Sequence, residues 1–194
     1  MRVIAGVAGG LRLEAPKSGV RPTMDRVKAA IFSSLGEEVI GARVLDLFAG
    51  TGALGIEALS RGAGSALFVE ENSSAVTVIE QNLRRTKLKG QVRKQDVFAF
   101  LRAGQSREPF RIIFADPPYE KTKWGGEFTR SLLEEAPLAG LLEPAGTFFL
   151  EKRPGEEMPP MPLWNLVRAK AYGATEVLFL RRAVVPVAAG GSAE

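Results

Sequence analysis

The sequence contains no cysteine and no histidine. Disulfides, zinc–thiolate sites, thiol nucleophiles and imidazole general bases are thereby excluded, and no metal site is expected. Catalysis, if there is any, must run on carboxylates, Tyr, Lys, Arg, hydroxyls and the backbone. No apolar run reaches the ~18 residues of a membrane span, and no signal-peptide pattern stands at Met1. A chain without membrane contact, cytoplasmic and monomeric, is the expectation.

What is present suits a globular enzyme. The chain has 194 residues, 45% hydrophobic and 25% charged, enough for one domain with a small extension and a real core. It is basic, with net charge +4 and pI near 9.6, and the excess is uneven. Residues 1–36 carry Arg2, Arg12, Lys17, Arg21, Arg26 and Lys28 against Glu14 and Asp25. A second run, Arg84, Arg85, Lys87, Lys89, Arg93 and Lys94, contains no acid. Such clusters suit a polyanion, nucleic acid above all; a solvated helix face is the competing reading.

From about residue 42 onward, apolar runs alternate with helical spacing. Strands are expected at Arg43–Leu47, Ala66–Val69, Gln91–Lys94, Phe110–Ala115 and Gly146–Leu150. Helices are expected at Gly52–Arg61, at Ala75–Leu83 and around Val97, Phe98 and Leu101. That rhythm predicts a doubly wound, mostly parallel sheet with helices on both faces. Leu166–Ala171 and Glu176–Arg182, flanking Tyr172-Gly173-Ala174, read as an antiparallel hairpin closing it. The first 40 residues form an extension: a β-hairpin turning at Gly9-Gly10, then a helix capped at Thr23 or Asp25, with Val27, Ile31 and Leu35 on one face. The domain proper spans 41–184, and 185–194 is expected to be a disordered tail.

Within Val44-Leu-Asp-Leu-Phe-Ala-Gly-Thr-Gly-Ala-Leu-Gly-Ile56, Gly50, Gly52 and Gly55 satisfy G-x-G-x-x-G between a strand and a helix. Glu70 follows Gly50 by 20 residues, where a ribose-binding acid belongs. So far a dinucleotide and another adenosine cofactor are equally served. Asp46 separates them, because a carboxylate at that strand end would repel a pyrophosphate by about 1–4 kcal/mol. The same charge favours the sulfonium and ammonium of S-adenosylmethionine. Asp96, at the end of the third strand, can accept from an adenine amino group or N-cap the helix that follows.

The fourth strand ends in Ala-Asp-Pro-Pro-Tyr-Glu, residues 115–120. Proline lacks the N–H of the ladder and fixes φ, so the strand stops on a stiff turn carrying Asp116 and Tyr119. In a doubly wound sheet this turn and Asp46 flank the point where strand order reverses, which is the ligand crevice. Asp116 and the Pro117 carbonyl would then accept the two N–H groups of an exocyclic amine, and Tyr119 would stack on an extruded base. Methylation of pyrimidine carbon-5 needs a thiolate, which this chain lacks, so the target atom should be nitrogen.

Those stretches, with "RVIAG", "RLEAP", "RPTMDRVKAAIFSSL", "FVEEN" and "YGATEV", resemble the RsmD family of bacterial 16S ribosomal RNA guanine-N2 methyltransferases over about residues 2–182. The resemblance implies a class I S-adenosylmethionine-dependent fold, Rossmann-like with seven strands, acting on guanine 966 of the 30S subunit. It implies that Arg21, Pro22 and Thr23 close over the methionine end of the cofactor. Asp46, Phe48, Ala49, Gly50, Gly52 and Glu70 would bind its backbone and ribose, and Asp96 with Val97 its adenine. Asp116, Pro117, Pro118 and Tyr119 would hold the guanine, while Arg2, Arg12 and Arg26 would contact RNA. Rival readings are an adenine-N6 DNA methyltransferase, which needs a target-recognition domain that finds no room here, a non-catalytic nucleic-acid binder, and an NAD oxidoreductase.

Overall fold

The computed structural model describes residues 1–15, 23–104, 106, 108–118 and 127–183. Seven strands form one sheet: β1 (Arg43–Leu47), β2 (Ser65–Glu70), β3 (Gln91–Lys94), β4 (Phe110–Ala115), β5 (Leu142–Lys152), β6 (Trp164–Tyr172) and β7 (Thr175–Arg182). Their spatial order is β3-β2-β1-β4-β5-β7-β6, and only β7 runs against its neighbours. The order reverses between β1 and β4, which pair in parallel from Val44↔Ile112 to Leu47↔Ala115.

The buried strands lack the apolar–polar alternation of a half-exposed sheet, because both faces are covered. Val44, Ile112, Phe114 and Phe149 face α1 (Thr23–Leu35), α2 (Ala53–Ser60) and α3 (Ser73–Thr86). Leu45, Leu47, Ile113, Ala115 and Phe148 face α4 (Val97–Arg102), α5 (Glu127–Glu134) and α6 (Ala136–Leu141). Period two thus sorts neighbouring residues of one strand into two separate cores. Helices α5 and α6 were not expected, although Phe128, Leu132 and Leu133 have helical spacing. Trp164 Nε1 donates to Leu133 O at 2.9 Å and ties α5 to the sheet's far edge. Strand β5 starts earlier than expected, at Leu142 despite Pro144. Pairing with β4 jumps from Phe110↔Leu142 to Ile112↔Thr147, and this bulge takes up the proline.

The amino-terminal ribbon is pinned by one bridge, Arg2↔Arg12. Its turn is wider than Gly9-Gly10: Gly10 N donates to Val3 O at 2.9 Å, so residues 4–9 form the loop. The reason is docking onto α2. Ile4 N and Ala5 N donate to the Glu57 carboxylate at 2.7 and 3.1 Å, and Ser60 Oγ donates to Ala5 O at 2.6 Å. Val3, Ala8 and Leu13 join the core beneath. Lys28 of α1, also buried, reaches Glu57 at 3.1 Å and the Arg2 carbonyl at 2.5 Å. Burial outweighs the attraction of Glu57 and holds the Lys28 ammonium below its ordinary pKa. The expected tail, 185–194, lies outside the described residues.

Candidate active site

Strands β1 to β4 end at one rim, and each delivers a predicted residue there. Asp46 is the fourth residue of β1, Glu70 the last of β2, Asp96 lies just beyond β3, and Asp116 just beyond β4. Gly50, Gly52 and Phe48 adopt φ of 54°, 75° and 54°. Glycine enters this region freely, whereas Phe48 carries strain there. Among the described residues a Cβ at Gly50 would meet nothing closer than Phe48 O at 3.9 Å, which leaves room there for a ligand. At Gly55 the reason for glycine is different: a Cβ would stand 2.3 Å from the Phe68 ring.

Two carboxylates hold the loop. Glu70 Oε2 accepts from Gly50 N at 2.8 Å, while Oε1 accepts from Asn72 N at 2.8 Å. Asp46 Oδ2 accepts from Gly55 N at 2.8 Å, so the strand-end acid caps α2, whose own N-cap, Gly52, has no side chain to do so. Asp46 is almost fully buried. Burial above all, with smaller contributions from the charges of Asp116 and Glu70, raises its pKa to about 8 against the opposing Gly55 hydrogen bond. The charges of Asp116 and Glu70 make the crevice anionic, and Asp46 adds a third once its proton leaves. That charge and the open space over Gly50 fit a cationic adenosine cofactor such as S-adenosylmethionine and disfavour a pyrophosphate.

Asp96 caps α4, its Oδ1 accepting from Ala99 N at 2.7 Å, which realises one of its two expected roles; Val97 beside it is buried. Ala49, near-buried, donates its N–H to Val69 O at 3.2 Å. Asp116 is half-buried, Pro117 buried and Pro118 exposed. Tyr119, Arg21 and Pro22 lie outside the described residues, as does the side chain of Thr23, which opens α1. Arg2, Arg12 and Arg26 are exposed. The bridge sets Arg2 and Arg12 directly opposite each other, a like-charge pairing that a bound anion would relieve.

Sequence reading missed three features of this region. Phe48 meets Phe98 and Phe128 edge-on, with centroids 6.3 and 5.6 Å apart, and Phe98 stacks on Phe128 at 6.2 Å. The trio links the glycine loop, the start of α4 and the helix after the Asp-Pro-Pro turn. The second is Asn82, fully buried, whose amide donates to Glu14 O and Thr51 O while its oxygen accepts from Glu14 N. It straps residues near the chain's start to the glycine loop. The third is Glu57. Each joins residues distant in sequence, so no local pattern marks them.

Strand order, glycine loop and strand-end acids define a class I S-adenosylmethionine-dependent methyltransferase. A family profile described as "Conserved hypothetical protein 95" matches residues 1–181. Ribosomal RNA small subunit methyltransferase D of Escherichia coli (strain K12) is 35% identical over 176 residues, covering 89% of this chain and 85% of that protein. The chain belongs to this RsmD family of ribosomal RNA methyltransferases. Among solved structures, a hypothetical protein of Thermus thermophilus superposes with a TM-score of 0.76 at 32% identity, covering 92% of this chain and 98% of that one. The T. thermophilus 16S rRNA N2 G1207 methyltransferase RsmC, solved with AdoMet and guanosine, gives 0.70 at 27% identity, over 86% of this chain and 44% of that one.

Proposed function

We propose that this chain transfers the methyl group of S-adenosylmethionine to the exocyclic N2 amino group of a guanine in 16S ribosomal RNA. Its substrate would be the assembled or assembling 30S subunit, met by a monomer in the cytoplasm. The observation that carries this reading is the Asp116-Pro117 turn at the end of β4. It stands beside β1 at the reversal of strand order, near enough for the charge of Asp116 to act on Asp46. In keeping with it, a structural neighbour at 27% identity is a guanine-N2 methyltransferase of the same ribosomal RNA. Among the described residues no helix is long and apolar enough to cross a membrane.

Gly50 and Gly52 would seat S-adenosylmethionine, with Glu70 for its ribose and Asp96 and Val97 for its adenine, and the cofactor would supply an electrophilic methyl. Asp46 would offer its carboxylate to the positive end of that cofactor, and the family resemblance gives Arg21, Pro22 and Thr23 the role of closing over it. Asp116 accepts one N–H of the amine and the Pro117 carbonyl the other, turning the nitrogen lone pair out of conjugation with the ring. Positioning of this kind is worth up to roughly 7–11 kcal/mol. Pro118 stiffens the turn and Tyr119 stacks on the base, while Arg2, Arg12 and Arg26 hold RNA phosphates. Incubation with undermodified 30S subunits and tritiated cofactor, then mass mapping of the RNA, tests this. A single N2-methylguanine in 16S RNA is expected, and transfer to adenine in DNA alone would overturn it.

A further inference from the structure

The acid-free run from residue 84 to 94 spans three elements: the end of α3, the turn after it, and β3, the sheet's edge strand. Among the described residues only one of its six cations is ion-paired, Arg85 with Glu14 at 3.2 Å. Arg43, Arg61, Arg111, Arg130 and Lys152 each meet a carboxylate. Among the described residues Arg84, Lys87, Lys89, Arg93 and Lys94 meet none, and all five are exposed. Attraction to the helix dipole accounts for Arg84 and Lys87 at the C-terminus of α3. It does not reach Lys89, Arg93 or Lys94. Guarding an edge strand against pairing needs a charge or two, not five across three elements. Lys87 also adopts φ 58°, a position where glycine is less strained.

We infer that this edge is a second RNA-contact surface, a track for the phosphodiester backbone flanking the target nucleotide; it rests on the RNA-modifying reading above. Charge complementarity selects this occupant. The track is continuous with the amino-terminal arginines, because Glu14, two residues past Arg12, pairs with Asn82 and Arg85 on α3. Its upper end reaches Lys94, which pairs with Glu70 in the β2–β3 register. From β4, where the base would sit, β3 is three strand spacings away, about 14 Å. That distance is about two to three nucleotides of extended RNA. Lys89 and Arg93 also line a groove of about 470 Å³ at the lower rim of β1 and β2, concave enough to seat a phosphate.

The test is filter binding of in vitro transcribed 16S RNA by the full chain carrying Lys87→Asn, Lys89→Gln and Arg93→Gln; asparagine keeps tolerance of the left-handed backbone. Each lost phosphate contact should lower the salt slope by roughly 0.7–0.9. The triple variant should therefore show a slope about 2 lower and a Kd about 10- to 100-fold higher near 100 mM salt. Its cofactor affinity and its kcat at saturating 30S subunits should be unchanged. Lys89→Gln alone, in the exposed turn, should lower the slope by about one and keeps the test open if the triple variant misfolds. Arg130→Gln, removing one charge from α5 as Lys89→Gln does from the edge, should leave Kd within about twofold. Unchanged binding and slope in the variants, or an equal loss in the Arg130 control, would overturn the inference. Failure of the functional reading shows separately, as wild-type protein that binds this RNA but transfers no methyl to undermodified 30S subunits.

Discussion

Lys28 Nζ stands 3.1 Å from Glu57 Oε2, and neither side chain is more than 3% exposed. Glu57 also receives Arg61 at 2.8 Å and the backbone of Ile4 and Ala5. It thereby joins α1, α2 and the amino-terminal loop around one buried charge. Removing one partner of such a network leaves the others desolvated and unpaired, at a cost of about 3–5 kcal/mol. Glu57→Ala should therefore lose about that much stability in urea unfolding. Hydrogen exchange should show the Ile4 and Ala5 amides exposed before the sheet opens. A loss under about 1 kcal/mol would contradict the network.

Glu70 braces the glycine loop with both oxygens, one on Gly50 N and one on Asn72 N. In Glu70→Gln one of those donors must face an NH2 group instead, and an unmade buried hydrogen bond costs about 1–3 kcal/mol. The ribose would also lose a charged acceptor. Calorimetry should show cofactor affinity falling at least about tenfold, with a smaller drop in Tm. Unaltered affinity would mean that Glu70 only shapes the loop from behind.

Those two carboxylates differ in how far the sequence could announce them. Glu70 was legible because its distance from Gly50 and its place at a strand end are fixed by the fold. The same holds for Asp46, and for the bounds of β1 and β4, where apolar residues run up to the glycine loop and to Asp116. Glu57 reads as an ordinary helix residue, since its partners come from Ile4, Ala5 and Lys28, far off in sequence. Asn82 and the Phe48–Phe98–Phe128 cluster were hidden for the same reason. Helix α5 was hidden differently. The spacing of Phe128, Leu132 and Leu133 carries a helical signal, but Gly125 and Gly126 precede it in place of a capping side chain.

If the buried acid of β1 faces the cofactor as proposed, cofactor binding should depend on pH. Its pKa lies near 8 instead of the ordinary 3.8. A raised carboxyl pKa means the folded apo protein favours the proton, so this contribution to stability is present at low pH and lost as pH rises through about 8. A cationic ligand favours the ionised form and must expel the proton below that pH. Affinity for S-adenosylmethionine should rise by up to about tenfold per unit between roughly pH 6 and 8, then level. Calorimetry in buffers of different ionisation enthalpy should detect proton release on binding below about pH 8. S-adenosylhomocysteine, without the sulfonium, should show a shallower rise. Asp46→Asn should flatten the curve and weaken binding about 10- to 100-fold.

Asp116 enters that equilibrium from across the crevice, because its charge is one of those raising the Asp46 pKa. Asp116→Ala should have two separable consequences. Loss of the amine acceptor should cut kcat by about 10²–10⁴, the range for removing a positioned proton acceptor. Loss of its charge should move the midpoint of the cofactor-binding curve below about pH 8 while leaving affinity above that pH within about twofold. Asp116→Asn, which keeps an acceptor but not the charge, should show the same displaced midpoint with a smaller loss of turnover. Tritium transfer to 30S subunits reads the first effect and calorimetry across pH the second. A variant with normal turnover would remove Asp116 from the chemistry. Lost turnover without a displaced midpoint would mean that the two carboxylates do not share one field.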